Sequence, residues 1–430
     1  MTELSLIPGV RVSDAVSPEL RIYSDEADLA EITVWDGHGS TLLARIPLEP
    51  GTLWTGKLSV ADIRGNVTLQ FQFYSTDRPV HRNDYPYQVI PSGQPMTGLV
   101  DGCWLSLYHW SEEEGRYFNR DLKKLTHEDF AQQVFDMDRV GIRGIVLQNL
   151  FDSAAYVKDP IPQTCAAYQG RAFYPSRLYP GRMPITAEDP VEAVLSAADQ
   201  CRMQVLVGIG LFAWFDFSQE SLKWHKQVAQ EVWQRYGHHP SFYGWYVSEE
   251  IMGDLYESYF PQQAHRWQEL PVFFRDFAAY VRQLTPTKPI AFAPNNIRFE
   301  QHREKWEQIL PYIDILLPFA FARDPQFWNV DEMKQICQDC GTHMWVDMEM
   351  FDADFESGLR PKSFEGLRQE IRQYHALEQC YGYQYTGIMN HPDSPFDLGG
   401  EAAKALYEQY RAYYASVCPE QDTQEEKFYE

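Results

Sequence analysis

Phe242-Tyr-Gly-Trp-Tyr-Val-Ser-Glu-Glu250 is a mostly apolar run closed by two acids. Its apolar stretch is too continuous for a half-exposed strand and too short for a buried helix. A strand buried on both faces reads this way, and such strands belong to parallel sheets covered by helices. Seven further segments share the pattern: Gly102 to Trp110, Gly144 to Asn149, Gln204 to Gly210, Pro289 to Asn295, Asp314 to Ala320, Met344 to Met350 and Tyr385 to Asn390. Longer amphipathic stretches separate them. Eight alternating repeats predict an α/β fold, a (β/α)8 TIM barrel.

The intervening helices carry start signals. Thr126 with Asp129 has the spacing of a capping box before a helix reaching Val140, and Asp189-Pro190 places an acidic cap and a first-turn proline before a helix reaching Cys201. Ser218 opens another helix, which Gly237 closes. Ahead of the barrel, residues 1–95 hold short alternating segments such as Glu31 to Asp36 and Val67 to Phe73, divided by Asp36-Gly-His-Gly39 and Glu49-Pro-Gly51. They predict a small N-terminal antiparallel β-sandwich domain. Tyr85 to Met96, with prolines at 86, 91 and 95, reads as a linker into a barrel domain over 96–418. The stretch Phe151 to Glu188 is too long for a simple turn and is expected to wall the barrel mouth. Residues 419–430 are expected to be an acidic disordered tail.

A length of 430 residues suits a barrel with an accessory module. With 44% hydrophobic and 23% charged residues the chain has an ordinary globular composition, while 15% aromatics permits ring stacking on sugars without requiring it. A formal net charge of -24 repels a phosphate backbone, so nucleic acid is not an expected partner. Met1 to Val10 lack a basic stretch followed by an apolar run, and no stretch approaches the about 18 apolar residues of a membrane span. The expected compartment is the cytoplasm, and membrane is not an expected partner. The seven cysteines, at 103, 165, 201, 337, 340, 380 and 418, are odd in number and scattered, which reads as free thiols. Cys337 and Cys340 form a lone C-x-x-C with His343 as one further possible ligand, short of a zinc set.

In a barrel of this kind chemistry sits at the carboxyl ends of the strands. The fourth strand ends in Ser248-Glu249-Glu250 and the seventh in Asp347-Met348-Glu349. Strand alternation puts Tyr246, Ser248 and Glu250 on one face and Trp245, Val247 and Glu249 on the other; Trp345, Asp347 and Glu349 likewise share a face. Strands four and seven stand across a barrel from each other, so two acids there are placed as the facing carboxyls that glycoside hydrolysis needs. Read from the residues alone, an equal alternative is that these acids cap helices or pair with arginines.

The segment Phe242 to Ile251 resembles the Gly-Trp-Tyr-x-x-x-Glu signature of an uncharacterised group of bacterial glycosidase-like TIM barrels. Ala172-Phe-Tyr-Pro-Ser176, Asp189-Pro190, Ala197-Ala198, Val205 to Leu211 and Trp345-x-Asp-x-Glu-x-Phe351 resemble other blocks of that group. Likeness extends over Thr97 to Tyr414 and leaves the first domain unmatched. More distantly, the layout is similar to the retaining glycoside hydrolase clan A, in which the fourth-strand acid is acid/base and the seventh-strand acid is nucleophile. The resemblance implies those roles for Glu250 and Glu349. It departs from the clan at Glu249, where an asparagine normally precedes the acid/base; an inward Glu249 would alter the titration of Glu250. The expected place of Glu249 is toward solvent or between strands.

His109, Trp110, Gln148, Asn149, Asn295, Asn296, Asn390 and His391 follow other strands and are candidates for binding sugar hydroxyls, because a convergent polar ring suits a polyhydroxylated substrate. Trp214, beside Phe215, is a candidate stacking platform, Tyr246 a further contact, and Asp347 a group that orients the nucleophile or holds a hydroxyl. The expected activity is a glycoside hydrolase or transglycosidase acting on an oligosaccharide, with no cofactor and no metal. Two other readings remain open. One is a non-catalytic carbohydrate-binding barrel. The other is a metal-dependent sugar isomerase or amidohydrolase, for which the strand-end histidines at 109 and 391 are a sparse ligand set.

Overall fold

The structure is a computed structural model that describes residues 1–108, 116, 118–152, 171–179, 181–210, 216–258, 261–323, 328–354 and 358–419. In chain order it opens with eight strands: β1 (Thr2–Ile7), β2 (Arg11–Ser13), β3 (Glu19–Ser24), β4 (Leu29–Trp35), β5 (Ser40–Pro47), β6 (Trp54–Lys57), β7 (Gly65–Ser75) and β8 (Arg78–Ile90). They form a three-stranded sheet ordered β1-β3-β6 and a five-stranded sheet ordered β2-β8-β7-β4-β5, largely antiparallel. Alternation explains the burial: Val67, Leu69, Phe71 and Phe73 of β7 point inward with Leu6, Leu20 and Ile22 of the other sheet, so both share one apolar core.

The expected linker is not one at its start. Tyr85 to Ile90 belong to β8, paired with β7, and only Pro91 to Met96 lie beyond the strand. Pro86 is tolerated because β2 reaches only residues 88 to 90 of β8, so beside Pro86 the strand has an open edge where no amide donor is needed.

The second body alternates β9 (Gly102–Leu105), α1 (His127–Arg139), β10 (Gly144–Leu147), α2 (Pro190–Cys201), β13 (Gln204–Gly208), α3 (Gln219–Tyr236), β14 (Phe242–Val247), α4 (Glu269–Leu284) and β15 (Ile290–Phe292). It continues with α5 (Arg303–Trp306), β16 (Ile315–Leu316), α6 (Val330–Cys340), β17 (His343–Met344), β18 (Val346–Glu349), α7 (Phe364–Gln373), β21 (Cys380–Tyr383) and α8 (Gly400–Val417). Two short antiparallel pairs interrupt it: β11 (Phe151–Asp152) with β12 (Arg171–Ala172), and β19 (Phe351–Asp354) with β20 (Gly358–Pro361). The nine parallel strands run β17-β16-β15-β14-β13-β10-β9-β21-β18. The two ends of that order, β17 and β18, are consecutive stretches of chain parted only by Trp345, so the sheet curves back on itself into a nearly closed barrel consistent with the TIM-like expectation.

Side-chain parity divides the barrel core in two. Trp104, Val146, Leu206, Tyr246, Ala291, Ile315, Trp345 and Tyr381 fill the inside, while their chain neighbours Cys103, Ile145, Val205, Trp245, Phe292, Leu316 and Val346 pack outward on the helices. Helix starts match the sequence signals: Thr126 and Asp129 form a capping box, Asp189 caps α2 with Pro190 in its first turn, and Ser218 caps α3, which ends at Gly237. The eighth strand is displaced from its expected place. It is Cys380–Tyr383, and Tyr385 to Asn390 form the turn after it, where the Ile388 N–H returns to Tyr385 (3.0 Å) and Gly387 takes a φ of +80°. Gly382 weakens the strand signal in sequence, yet that position must be glycine because a Cβ would meet Met350 Sδ at 2.1 Å.

The N-terminal sheets sit against the amino ends of the barrel strands. Ile7 joins the inner barrel cluster from below, and Tyr243 donates to the Leu6 carbonyl at 2.7 Å. Arg11, 1% exposed, donates to Asp101 Oδ1 (2.8 Å), the Gly141 carbonyl (2.8 Å) and the Val100 carbonyl (3.1 Å). Among the described residues no helix is long and apolar enough to cross a membrane. The 420–430 part of the expected tail, and residues 153–170 of the expected mouth wall, lie outside the described residues.

Candidate active site

The inward face of β14 carries Tyr246, and the chain continues that face through Ser248 to Glu250 at the carboxyl end. Glu249 falls on the opposite face. Of its two expected places, toward solvent or between strands, solvent is excluded: it is 1% exposed, with Oε1 3.8 Å from Nε2 of His225 on α3. The helix layer covers this face of the strand, which is why parity decides burial here. Burial, only partly opposed by the Ser221 carbonyl and Asp216, pushes the His225 imidazole down to about 4, so it is neutral near pH 7.

Asp347 and Glu349 project from β18 on the side of Trp345, which stacks on Tyr381 inside the barrel at 5.1 Å. Arg323 arrives from the turn after β16. Its Nε donates to both Glu349 oxygens (2.8 and 3.0 Å) and its Nη2 to Oε1. Ala320 turns the chain there with a φ of +72°, a conformation that costs a side-chain-bearing residue roughly 1–3 kcal/mol and that tends to collect at functional sites. The Arg323 side chain is 57% exposed while Glu349 is buried, so this ion pair bridges the inner core and solvent.

The three carboxyls influence one another. Burial pushes Glu250 up to about 7, with Arg323 pulling it down and Glu349 pushing it further up. Asp347 is held well above the usual carboxylate range by burial first, then by Glu349 and Glu250, against Arg323. Its Oδ1 is buried without a hydrogen-bond partner among the described residues, a condition native proteins rarely tolerate away from sites that meet a ligand or water. Beneath them the Tyr246 phenol stays protonated, raised by burial and then by Asp347, and its ring meets Trp104 edge to face at 6.0 Å. The cluster thus offers two carboxyls able to carry a proton and one carboxylate fixed by a guanidinium.

The other candidates divide. Gln148 joins the inner rim: its Oε1 lies 3.3 Å from both Ser106 Oγ and Tyr383 Oη, and its carbonyl accepts from Ser248. Asn149 folds back to the Phe151 carbonyl at 2.7 Å. Asn295 accepts from the Ile297 N–H at 2.9 Å, and Asn296 exchanges bonds with Asn329 at 3.3 and 3.0 Å, so both hold the turn after β15. Asn390 ends the turn after β21 and His391 follows it. They line a cavity of about 300 Å³ with Asp129, Gln132 and Asp136 of α1, because the eighth strand ends seven residues earlier than expected. His109, Trp110 and Trp214 lie outside the described residues. A surface groove of about 840 Å³ runs along the outer face of α3 and holds none of these groups. Cys337 and Cys340 sit on α6 as free thiols, Cys337 buried. Arg323, Ser106 and Tyr383 were missed in sequence. A buried acid at Glu349 demanded a counter-ion, but nothing local in the sequence said which arginine.

At the carboxyl end of a TIM-like parallel barrel the structure thus gathers two carboxyls raised by burial and one paired with a guanidinium. The chain belongs to the family described as Domain of unknown function (DUF4434), whose model matches residues 100–395. Among solved structures it is similar to a proposed alpha-L-fucosidase from Bacteroides thetaiotaomicron, 19% identical with a TM-score of 0.54, over 74% of this chain and 93% of that one. A Parabacteroides merdae beta-glucuronidase, 12% identical, covers 96% of this chain and 51% of its own at a TM-score of 0.43. A curated relative, beta-glucuronidase of Canis lupus familiaris, is 24% identical over 224 residues, 51% of this chain. The match spans only 28% of that relative's length.

Proposed function

We propose that the chain is a retaining glycoside hydrolase, or a transglycosidase using the same pair, with Glu250 as acid/base and Glu349 as nucleophile. One observation carries the reading: two carboxyls within electrostatic reach have different surroundings, burial raising Glu250 to about 7 while Glu349 accepts two hydrogen bonds from Arg323 Nε. Hydrolysis needs that asymmetry. Glu349 attacks the anomeric carbon while Glu250 gives its proton to the leaving oxygen; Glu250 then takes a proton from water as the water displaces Glu349. Asp347, protonated, donates to a sugar hydroxyl and relieves its unmatched oxygen. The names of the curated relative and of the solved fucosidase-like barrel agree with a glycoside substrate. Residues 1–95 then form an accessory β-domain, 96–418 the catalytic barrel and 419–430 a tail.

The test uses aryl glycosides with activated leaving groups and a 2-fluoro glycoside that traps the covalent intermediate. Peptide mass mapping is expected to find the sugar on Glu349, and Glu349→Gln to lower kcat by at least about 10⁴-fold. Glu250→Ala spares activated substrates while losing about 10²- to 10⁴-fold on poor leaving groups, and it removes the fall in kcat/KM above pH 7. A label elsewhere, or equal losses on both substrate classes, overturns the assignments.

A further inference from the structure

Far from the carboxyl-end acids, the connection from α3 to β14 carries His238 and His239 against the side of α2. His239 is buried, and its Nδ1 lies 2.7 Å from Asp199 Oδ2. Asp199 is itself anchored by the Ser241 N–H at 2.8 Å. The other nitrogen of His239, Nε2, faces Glu192 Oε2 at 3.4 Å, and a neutral imidazole has only one N–H, so the ring can donate to only one of these two carboxylates. The contact left without a donor needs a positive charge. That charge is either a proton on the imidazole or a metal ion.

The second histidine favours the metal. The His238 ring lies with its centroid 4.2 Å from that of His239, and one ligand atom from each of Glu192, His238 and His239 falls within 4.8 Å of the others. A bridging proton has no use for a further imidazole, whereas a metal ion takes it as a third ligand. Zinc binds nitrogen and oxygen at about 2.0–2.2 Å, so the edge of its coordination tetrahedron is about 3.3–3.5 Å. The observed separation of His239 Nε2 and Glu192 Oε2 already has that length. His238 is exposed and free to close the remaining gap by a change of rotamer. Asp199 behind Nδ1 completes the carboxylate–histidine–metal arrangement that orients ligating imidazoles.

We propose that Glu192, His238 and His239 form a binding site for a divalent transition-metal ion of the zinc type, with Asp199 as the outer carboxylate that positions His239. Three protein ligands leave one position for water. The ion ties α2 to the segment leading into β14, three residues beyond which Glu250 follows, so its role is structural and independent of the proposed hydrolysis.

The experiment is isothermal titration of the full chain, tag removed and stripped with chelator, with zinc chloride alone. One saturable equivalent is expected, accompanied by a rise in Tm. His238→Ala and Glu192→Gln, both at positions with solvent access, are each expected to weaken binding by at least about 10-fold, and Asp199→Asn by about 10- to 100-fold. Circular dichroism of the unloaded variants separates a folding defect from lost ligation. Absence of a saturable equivalent, or affinity unchanged in both His238→Ala and Glu192→Gln, overturns the site and leaves His239 as a hydrogen-bonding bridge between Asp199 and Glu192.

Discussion

Acidic residues occupy both ends of the barrel, and the fold treats them in opposite ways. At the amino end Asp314 accepts from Arg21 (2.7 Å), Arg282 (3.0 Å) and the Ile290 N–H (2.8 Å). Burial would raise it, but these partners win and it lies below its ordinary value. Glu19 reaches about 2 by the same contest, through His343 and Arg21. At the carboxyl end the balance reverses: Glu250 rises to about 7 and Asp347 well above the carboxylate range, with Arg323 alone opposing burial and mutual repulsion. Asp101 is the instructive exception, raised by burial in spite of Arg11, Thr97 and the Cys380 N–H. The difference is between acids given partners where the N-terminal sheets dock and acids left short of partners, the shortfall that the proposed function assigns to a substrate.

The comparison is most exposed at Arg11. Arg11→Met leaves Asp101 buried without its counter-ion and is expected to cost about 3–5 kcal/mol in urea unfolding; a loss below 1 kcal/mol would mean that the amino-end pair is not holding the two bodies together. Asp347→Asn should act with the other sign, stabilising by up to about 2 kcal/mol while lowering turnover. The native Asp347 stays protonated where the unfolded chain ionises, so stability is lost as pH rises above the unfolded value, and the variant's advantage should widen between pH 4 and 8. A destabilised Asp347→Asn would class that residue with the structural acids.

An effect of up to about 3 kcal/mol is expected from the His343 contacts to Glu378 (2.7 Å) and Glu19 (3.4 Å). Burial lowers the imidazole, but Glu378 and Glu19 raise it to about 9. Its contribution is therefore complete below pH 6.5 and fades as pH climbs through 9, while that of Glu19 fades as pH falls from 4.5 to 2. Melting temperatures of the wild type and His343→Gln should differ most between pH 4.5 and 6.5 and converge by pH 9.5; a constant difference would remove the charge from the explanation.

Much of this was legible in one dimension because it depends on period and caps. Two-residue alternation put Tyr246 with Glu250 and Asp347 with Glu349, and Thr126, Asp189 and Ser218 marked helix starts where they occur. Misreadings arose where local pattern and tertiary packing diverge. Tyr385 to Met389 is apolar enough to be a strand, yet it is buried by turning, whereas the true strand, Cys380–Tyr383, contains a glycine that Met350 demands. Pro86 looked like a linker residue because the sequence does not say how short β2 is.

The order of elements, the inward or outward sense of each strand residue and the presence of acids at strand ends follow from the chain itself, since neighbours along a strand are bound by covalent geometry. Which arginine meets Glu349, that Glu249 lies beside His225, that Ile7 plugs the barrel and that His239 stands between Asp199 and Glu192 were settled by tertiary structure. Those contacts join residues far apart in the chain, and only the closure of the sheet and the docking of its helices bring them within the few ångströms over which charge and hydrogen bonds act.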